Sequence, residues 1–172
     1  MKLSKIVLAF SLAFSSMFAS EFIAYEDIAN KLIQENKDNG NYATIKEVKE
    51  ALKANDWVVA DVRTKEEWSA AHIKGAVRVG RQAPEKALEL FVYDLDDNFV
   101  KDNIIVVCNS AKRASIEAQT FKQMGFKNVK IFDLYSWIDE CNPVTTTYSV
   151  KKDKKGTGLK FGSFYAQHCN KK

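Results

Sequence analysis

Ile104-Ile105-Val106-Val107 is an unbroken β-branched run between polar segments, which predicts a strand buried on both faces. Cys108 closes that run, a short polar loop follows, and from Ala114 to Met124 the apolar residues Ile116, Phe121 and Met124 return at helical spacing. Trp57–Ala60 and Val129–Phe132 are shorter runs of the same strand type. Between the strands the pattern turns helical. Glu21–Asn39 places Phe22, Tyr25, Ile28, Ala29, Leu32 and Ile33 on one side. Thr44 opens a second helix through Ala54, with Glu47 completing a capping box. A third starts at Thr64, a fourth covers Pro84–Phe91 with Pro in its first turn, and a last one around Tyr135–Glu140 stops at Asn142-Pro143. Ala71–Val79 reads as a turn entering a strand, and Gly40 and Gly125 end helices. This alternation predicts an α/β fold, a doubly wound parallel sheet with helices on both faces.

The two ends read differently. Lys2 and Lys5, the apolar run Ile6–Phe14 and the small residues up to Ser20 have the layout of a bacterial secretory signal peptide over residues 1–20. The run is shorter than the roughly 20 residues a membrane span needs, so the expected protein is periplasmic or secreted, with no stable membrane insertion after cleavage. Residues 21–41 form a helical extension, 42–142 the folded domain, and 143–172 a basic extension. The whole chain is +4, yet the stretch after residue 150 alone, with seven lysines and one aspartate, is +6. Residues 21–150 are therefore −4 once the two leader lysines are set aside. A basic tail can meet nucleic acid or anionic lipid. Export argues against nucleic acid, and a solvated extension is the simpler reading.

The candidate chemistry lies at the end of the central run. A strand that feeds a loop opening a helix aims backbone N–H groups and the positive end of the helix dipole at the loop. Here the loop begins with the thiol of Cys108, and Lys112 and Arg113 add positive charge. That setting favours the thiolate, the nucleophilic form. The bland reading of Cys108 is a small core residue. Its place at the C-terminal end of a strand, where open α/β sheets carry their sites, points to a reactive role.

Asp61-Val62-Arg63, Glu66-Glu67-Trp68, Ala71-His72-Ile73-Lys74-Gly75-Ala76, Val107-Cys108, Arg113 and Gly125-Phe126-Lys127-Asn128-Val129, in this order, resemble the rhodanese family of sulfurtransferases, here of an exported, single-domain type. The resemblance implies an active-site loop from Cys108 to Arg113. In it the amides of Asn109, Ser110, Ala111, Lys112 and Arg113 cradle an anionic persulfide, and Lys112 and Arg113 draw in the donor. It implies transfer of a sulfane sulfur from a small anionic donor such as thiosulfate, or from a persulfide, through a Cys108 persulfide to a thiol or cyanide acceptor. No metal and no organic cofactor are implied. Related phosphatases of this fold have one more residue between Cys and Arg, so a loop with only four between them favours sulfur over phosphate. The resemblance gives Asp61 and Arg63 a supporting, pairing role, Arg63 with Glu67, and His72 a structural one.

Four positions depart from the family pattern. Ala111 stands where Gly is usual and would be strained if φ is positive. Lys74 replaces a Pro. Leu134-Tyr135 replaces a Gly-Gly pair and could narrow the pocket. The Asp94–Asn98 segment lacks the glycine and terminal Glu of a calcium loop and reads as a connector. Cys141 and Cys169 flank the basic extension. In an oxidising compartment they could pair, stapling Phe161–Tyr165 onto the domain and leaving Cys108 free; alternatively Cys169 resolves a Cys108 persulfide. Two functions remain: a sulfurtransferase, and a non-catalytic binding module of the same fold for a protein or small anion.

Overall fold

The computed structural model describes residues 22–147 and 162–171; the stretch 1–20 read above as a signal peptide and most of the basic tail, Phe161 included, lie outside them. Among the described residues no helix is long and apolar enough to cross a membrane.

Four strands, β1 (Trp57–Asp61), β2 (Val77–Arg78), β3 (Asn103–Cys108) and β4 (Asn128–Asp133), form one parallel sheet in the order β2-β1-β3-β4. All six residues of β3 are buried, as expected for the central strand of a sheet covered on both faces. Tyr42 adds a parallel bridge to Ile131 beyond β4. The register pairs Asp61 with Val107 and Cys108 with Asp133, so the strands' C-terminal ends line up along one edge. That edge carries the loops.

Side-chain alternation splits β3 between two cores. Ile104, Val106 and Cys108 face the side covered by α4 (Pro84–Val92) and α5 (Lys112–Gln123), against which α1 (Tyr25–Asp38) packs. Ile105 and Val107 face α2 (Ile45–Ala51) and α6 (Leu134–Asp139). The short α3 (Lys65–Ala70) links β1 to β2. Thr44 and Thr64 form full capping boxes with Glu47 and Glu67, which fix where α2 and α3 begin.

The first helix is shorter than its pattern. α1 begins at Tyr25 because Ala24 is extended and offers no side chain to cap an earlier turn, so Phe22 stands 90% exposed. Of the residues expected on its apolar side, Ala29 is fully buried and Ile33 is partly so, whereas Tyr25 and Ile28 stay exposed. The small Ala29 lets the helix lie close on α5, where the Ser115 hydroxyl donates to the Ala29 carbonyl at 3.3 Å.

After α6 the chain forms β5 (Val144–Thr146), paired antiparallel with β6 (Gly162–Phe164), and a 3-10 turn over Gln167–Lys171. Cys141 and Cys169 are joined, with their Cα atoms 5.5 Å apart, so Cys169 is not a free thiol. His72 exchanges backbone hydrogen bonds with Thr145, and its ring stacks on Trp68 at 3.9 Å. It thus ties the domain to β5.

Candidate functional site

The loop between β3 and α5 takes only three residues to turn from strand to helix. Ala111 makes that possible by adopting φ 62°, ψ −8°, the left-handed region that glycine enters most readily. Its methyl group is fully buried. Replacing Ala111 with Val puts a branched Cβ in the same backbone and no free space. We expect a loss of about 2 kcal/mol or more in urea unfolding, while Ala111→Gly should stay within about 1 kcal/mol of the parent.

Ala111 is also the N-cap of α5, and it has no side chain to accept the orphan N–H groups of the first turn. One of them, the Ala114 N–H, donates to Cys108 Sγ at 3.4 Å. The positive end of a twelve-residue helix therefore faces the sulfur and favours negative charge on it. Cys108 is nonetheless 1% exposed. The strand-end position alone suggests an open thiol; instead Cys108 is buried in one core cluster with Ala111 and Ala114.

The other loop residues are held by charge. Glu67 receives both terminal nitrogens of Arg113, at 2.8 and 2.7 Å, and the Asn109 amide at 2.8 Å. The Arg113 hydrogen bond is the main reason its carboxyl falls to about 2. Arg63 does not take Glu67's carboxylate; it binds Asp61 through three side-chain hydrogen bonds of 2.7–3.0 Å and reaches only the Glu67 carbonyl. It also donates to the Ala71 carbonyl at 2.6 Å and to Asn109 Oδ1 at 3.0 Å. Asp61 and Arg63 are thus a buried strut beneath the loop, and Glu67 is its clasp. Lys112 pairs with Glu26 of α1. Ser110 is exposed.

Two neighbours complete the surroundings. The Tyr135 N–H donates to the Asn109 carbonyl at 3.2 Å, but Leu134 packs into the opposite core, so its side chain does not narrow this site. Tyr25, at the start of α1, lies within electrostatic reach of Cys108, Arg113 and Lys112; burial chiefly pushes its hydroxyl pKa up. No motif in the sequence flags Tyr25, because its approach depends on how α1 docks on α5.

Comparison with known proteins agrees with this geometry. The sequence profile described as the rhodanese-like domain matches residues 44–134, a little over half of the chain. YrkF of Bacillus subtilis, named as a candidate sulfur carrier, is 37% identical over 71 residues, covering 41% of this chain and 35% of YrkF. The tRNA uridine(34) hydroxylase of Streptococcus uberis is 33% identical over 94 residues, covering 52% of this chain and 27% of that one. The chain thus spans about a third or less of the length of these curated relatives. Among solved structures, the thiosulfate sulfurtransferase of Pseudomonas aeruginosa superposes with a TM-score of 0.54 at 19% identity, over 64% of this chain and 20% of that one. The BH2092 protein of Bacillus halodurans superposes at 0.52 and 23% identity, over 73% of this chain and 95% of that one. These two likenesses establish the fold.

Proposed function

Because the chain belongs to the rhodanese-like domain family, we propose that it is a sulfurtransferase that carries a sulfane sulfur on Cys108. The observation that supports this most directly is the Ala114 N–H on Cys108 Sγ at the uncapped start of α5. A nucleophilic sulfur needs its thiolate stabilised, and here the helix supplies the stabilising charge.

In this reading the Cys108 thiolate attacks the outer sulfur of thiosulfate. The new Sγ–S bond forms as the old sulfur–sulfur bond breaks, and sulfite leaves with the electron pair. The persulfide anion then rests against the backbone amides of the 109–113 loop. An acceptor thiolate or cyanide attacks the outer sulfur, and the electron pair returns to Cys108. The Glu67 clasp fixes Asn109 and Arg113, so the loop holds one shape through both steps. The signal-like segment would place this reaction in the periplasm or outside the cell, where the Cys141–Cys169 pairing is also at home.

The test is mass spectrometry of the purified protein after thiosulfate. We expect one added sulfur atom on the peptide carrying Cys108, removed by cyanide or a thiol. No adduct with thiosulfate or with any persulfide donor would end the proposal. The binding-module reading draws on a specific observation as well: Cys108 is 1% exposed, and Lys112 and Arg113 already hold carboxylates. It predicts no adduct.

A further inference from the structure

α6 starts beside the Cys108 loop, where the Tyr135 N–H meets the Asn109 carbonyl. Its other end carries a second cluster of sulfur and nitrogen. The sulfurs of Cys141 and Cys169 and a ring nitrogen of His168 lie within 4.8 Å of one another. They come from two separate places in the chain. Cys141 follows α6, where its φ of 57° turns the backbone out of the helix. His168 and Cys169 sit on the 3-10 turn Gln167–Lys171. Both cysteines are half-buried and His168 is exposed, so solvent and small solutes reach the cluster.

The neighbours of these three side chains are electron-rich. The Asp139 carbonyl lies 3.9 Å from Cys141 Sγ and 3.4 Å from His168 Nε2, and the Ile138 carbonyl lies 3.9 Å from Cys169 Sγ. A disulfide sulfur has no hydrogen to give them. Asp139 and Glu140 place two carboxylates just before Cys141 in the chain. Cys108 is the contrast: its sulfur receives a backbone N–H at the start of a helix. Carbonyl oxygens at the end of α6 oppose a pair of bare thiolates and favour a cation held between them.

We propose that Cys141, His168 and Cys169 form a zinc site when the disulfide is reduced. Two thiolates and a neutral imidazole are donors that zinc prefers. Zinc sits about 2.3 Å from sulfur and about 2.0 Å from nitrogen, so tetrahedral ligand atoms stand roughly 3.5–3.8 Å apart. The cluster is already close to that spacing, and the exposed His168 ring is free to adjust to it. Water takes the fourth position. Reduction comes from a dithiol. One of its thiolates attacks a sulfur of the Cys141–Cys169 bond, that bond opens, and the second thiol closes the mixed disulfide. The dithiol leaves oxidised, and Cys141 and Cys169 are left as thiols. Zinc then displaces their two protons to solvent. Either state clasps the 3-10 turn to the end of α6, through a sulfur–sulfur bond or through the cation. An oxidising compartment sets the first state and a supply of dithiol the second.

The experiment uses the whole protein, oxidised or reduced with a phosphine. Zinc is measured by competition against a coloured chelator, and cobalt serves as a spectroscopic probe. Cys108→Ser is run beside the parent, because Cys108 is the remaining thiol. The reduced parent should take up one zinc per chain with a Kd below about 1 μM, and the oxidised parent should bind at least ~100-fold more weakly. Cobalt should give thiolate-to-metal absorption in the near ultraviolet with the reduced protein alone. In reduced protein His168→Ala should weaken zinc at least ~10-fold and Cys169→Ser at least ~100-fold, while Cys108→Ser stays within about twofold. His168 is exposed, so its replacement should leave the fold intact, and a thermal melt of the oxidised variant checks this. Equal zinc binding by both redox forms would overturn the proposal. So would no uptake by the reduced parent, an unchanged Kd in His168→Ala, or loss of binding in Cys108→Ser.

Discussion

Cys108→Ser should lose essentially all sulfur transfer, at least ~10³-fold, in thiosulfate-dependent thiocyanate formation. A serine hydroxyl keeps its proton near neutral pH, and the N–H of Ala114 cannot lower its pKa far enough to make an alkoxide nucleophile. An oxygen there also cannot form the sulfur–sulfur bond that stores the transferred atom. The substitution is nearly isosteric, and Ser Oγ can accept the Ala114 hydrogen bond that Sγ accepts now. The fold should therefore survive, and a thermal melt within a few degrees of the parent would separate lost chemistry from lost structure. The variant should also fail to gain sulfur in the mass spectrometer. Rates equal to the parent would remove Cys108 from the mechanism and leave the fold as a binding module.

Arg63→Met should be the most destabilising change near the loop. Arg63 is 2% exposed and Asp61 is 1% exposed, so the variant leaves a buried carboxylate without its cation. Breaking a buried pair from one side typically costs about 3–5 kcal/mol, a large share of the roughly 5–15 kcal/mol that holds a domain folded. The loss extends beyond the pair. Arg63 also ties the Ala71 carbonyl at the end of α3 and Asn109 in the Cys108 loop, so activity should fall with stability. Urea unfolding measures the first effect. The double variant Asp61→Asn with Arg63→Met should recover part of it, because the stranded charge is gone. A single-variant change below about 1 kcal/mol would show that the strut is not holding the edge.

The strands, most helices and the place of Cys108 at a strand end could be read along the chain. Ile104–Val107 is too apolar to sit anywhere but the middle of a doubly covered sheet, and the thiol at its end follows from chain order. Thr44 and Thr64, each with Glu three residues on, mark helix starts because a capping box is a local hydrogen-bond pattern. The rhodanese resemblance added the loop limits and singled out Ala111, whose left-handed backbone the structure contains.

What could not be read is who meets whom. Glu67 was expected to pair with Arg63, yet its carboxylate reaches across 46 residues to Arg113, and Arg63 turns to Asp61. The burial of Cys108 and the approach of Tyr25 likewise arise from separate segments that the sheet brings to one edge. Periodicity and capping depend on neighbours within a turn or two, so a linear chain displays them. Ion pairing and access depend on distances through space, and those exist only after β1, β2 and β3 lie side by side.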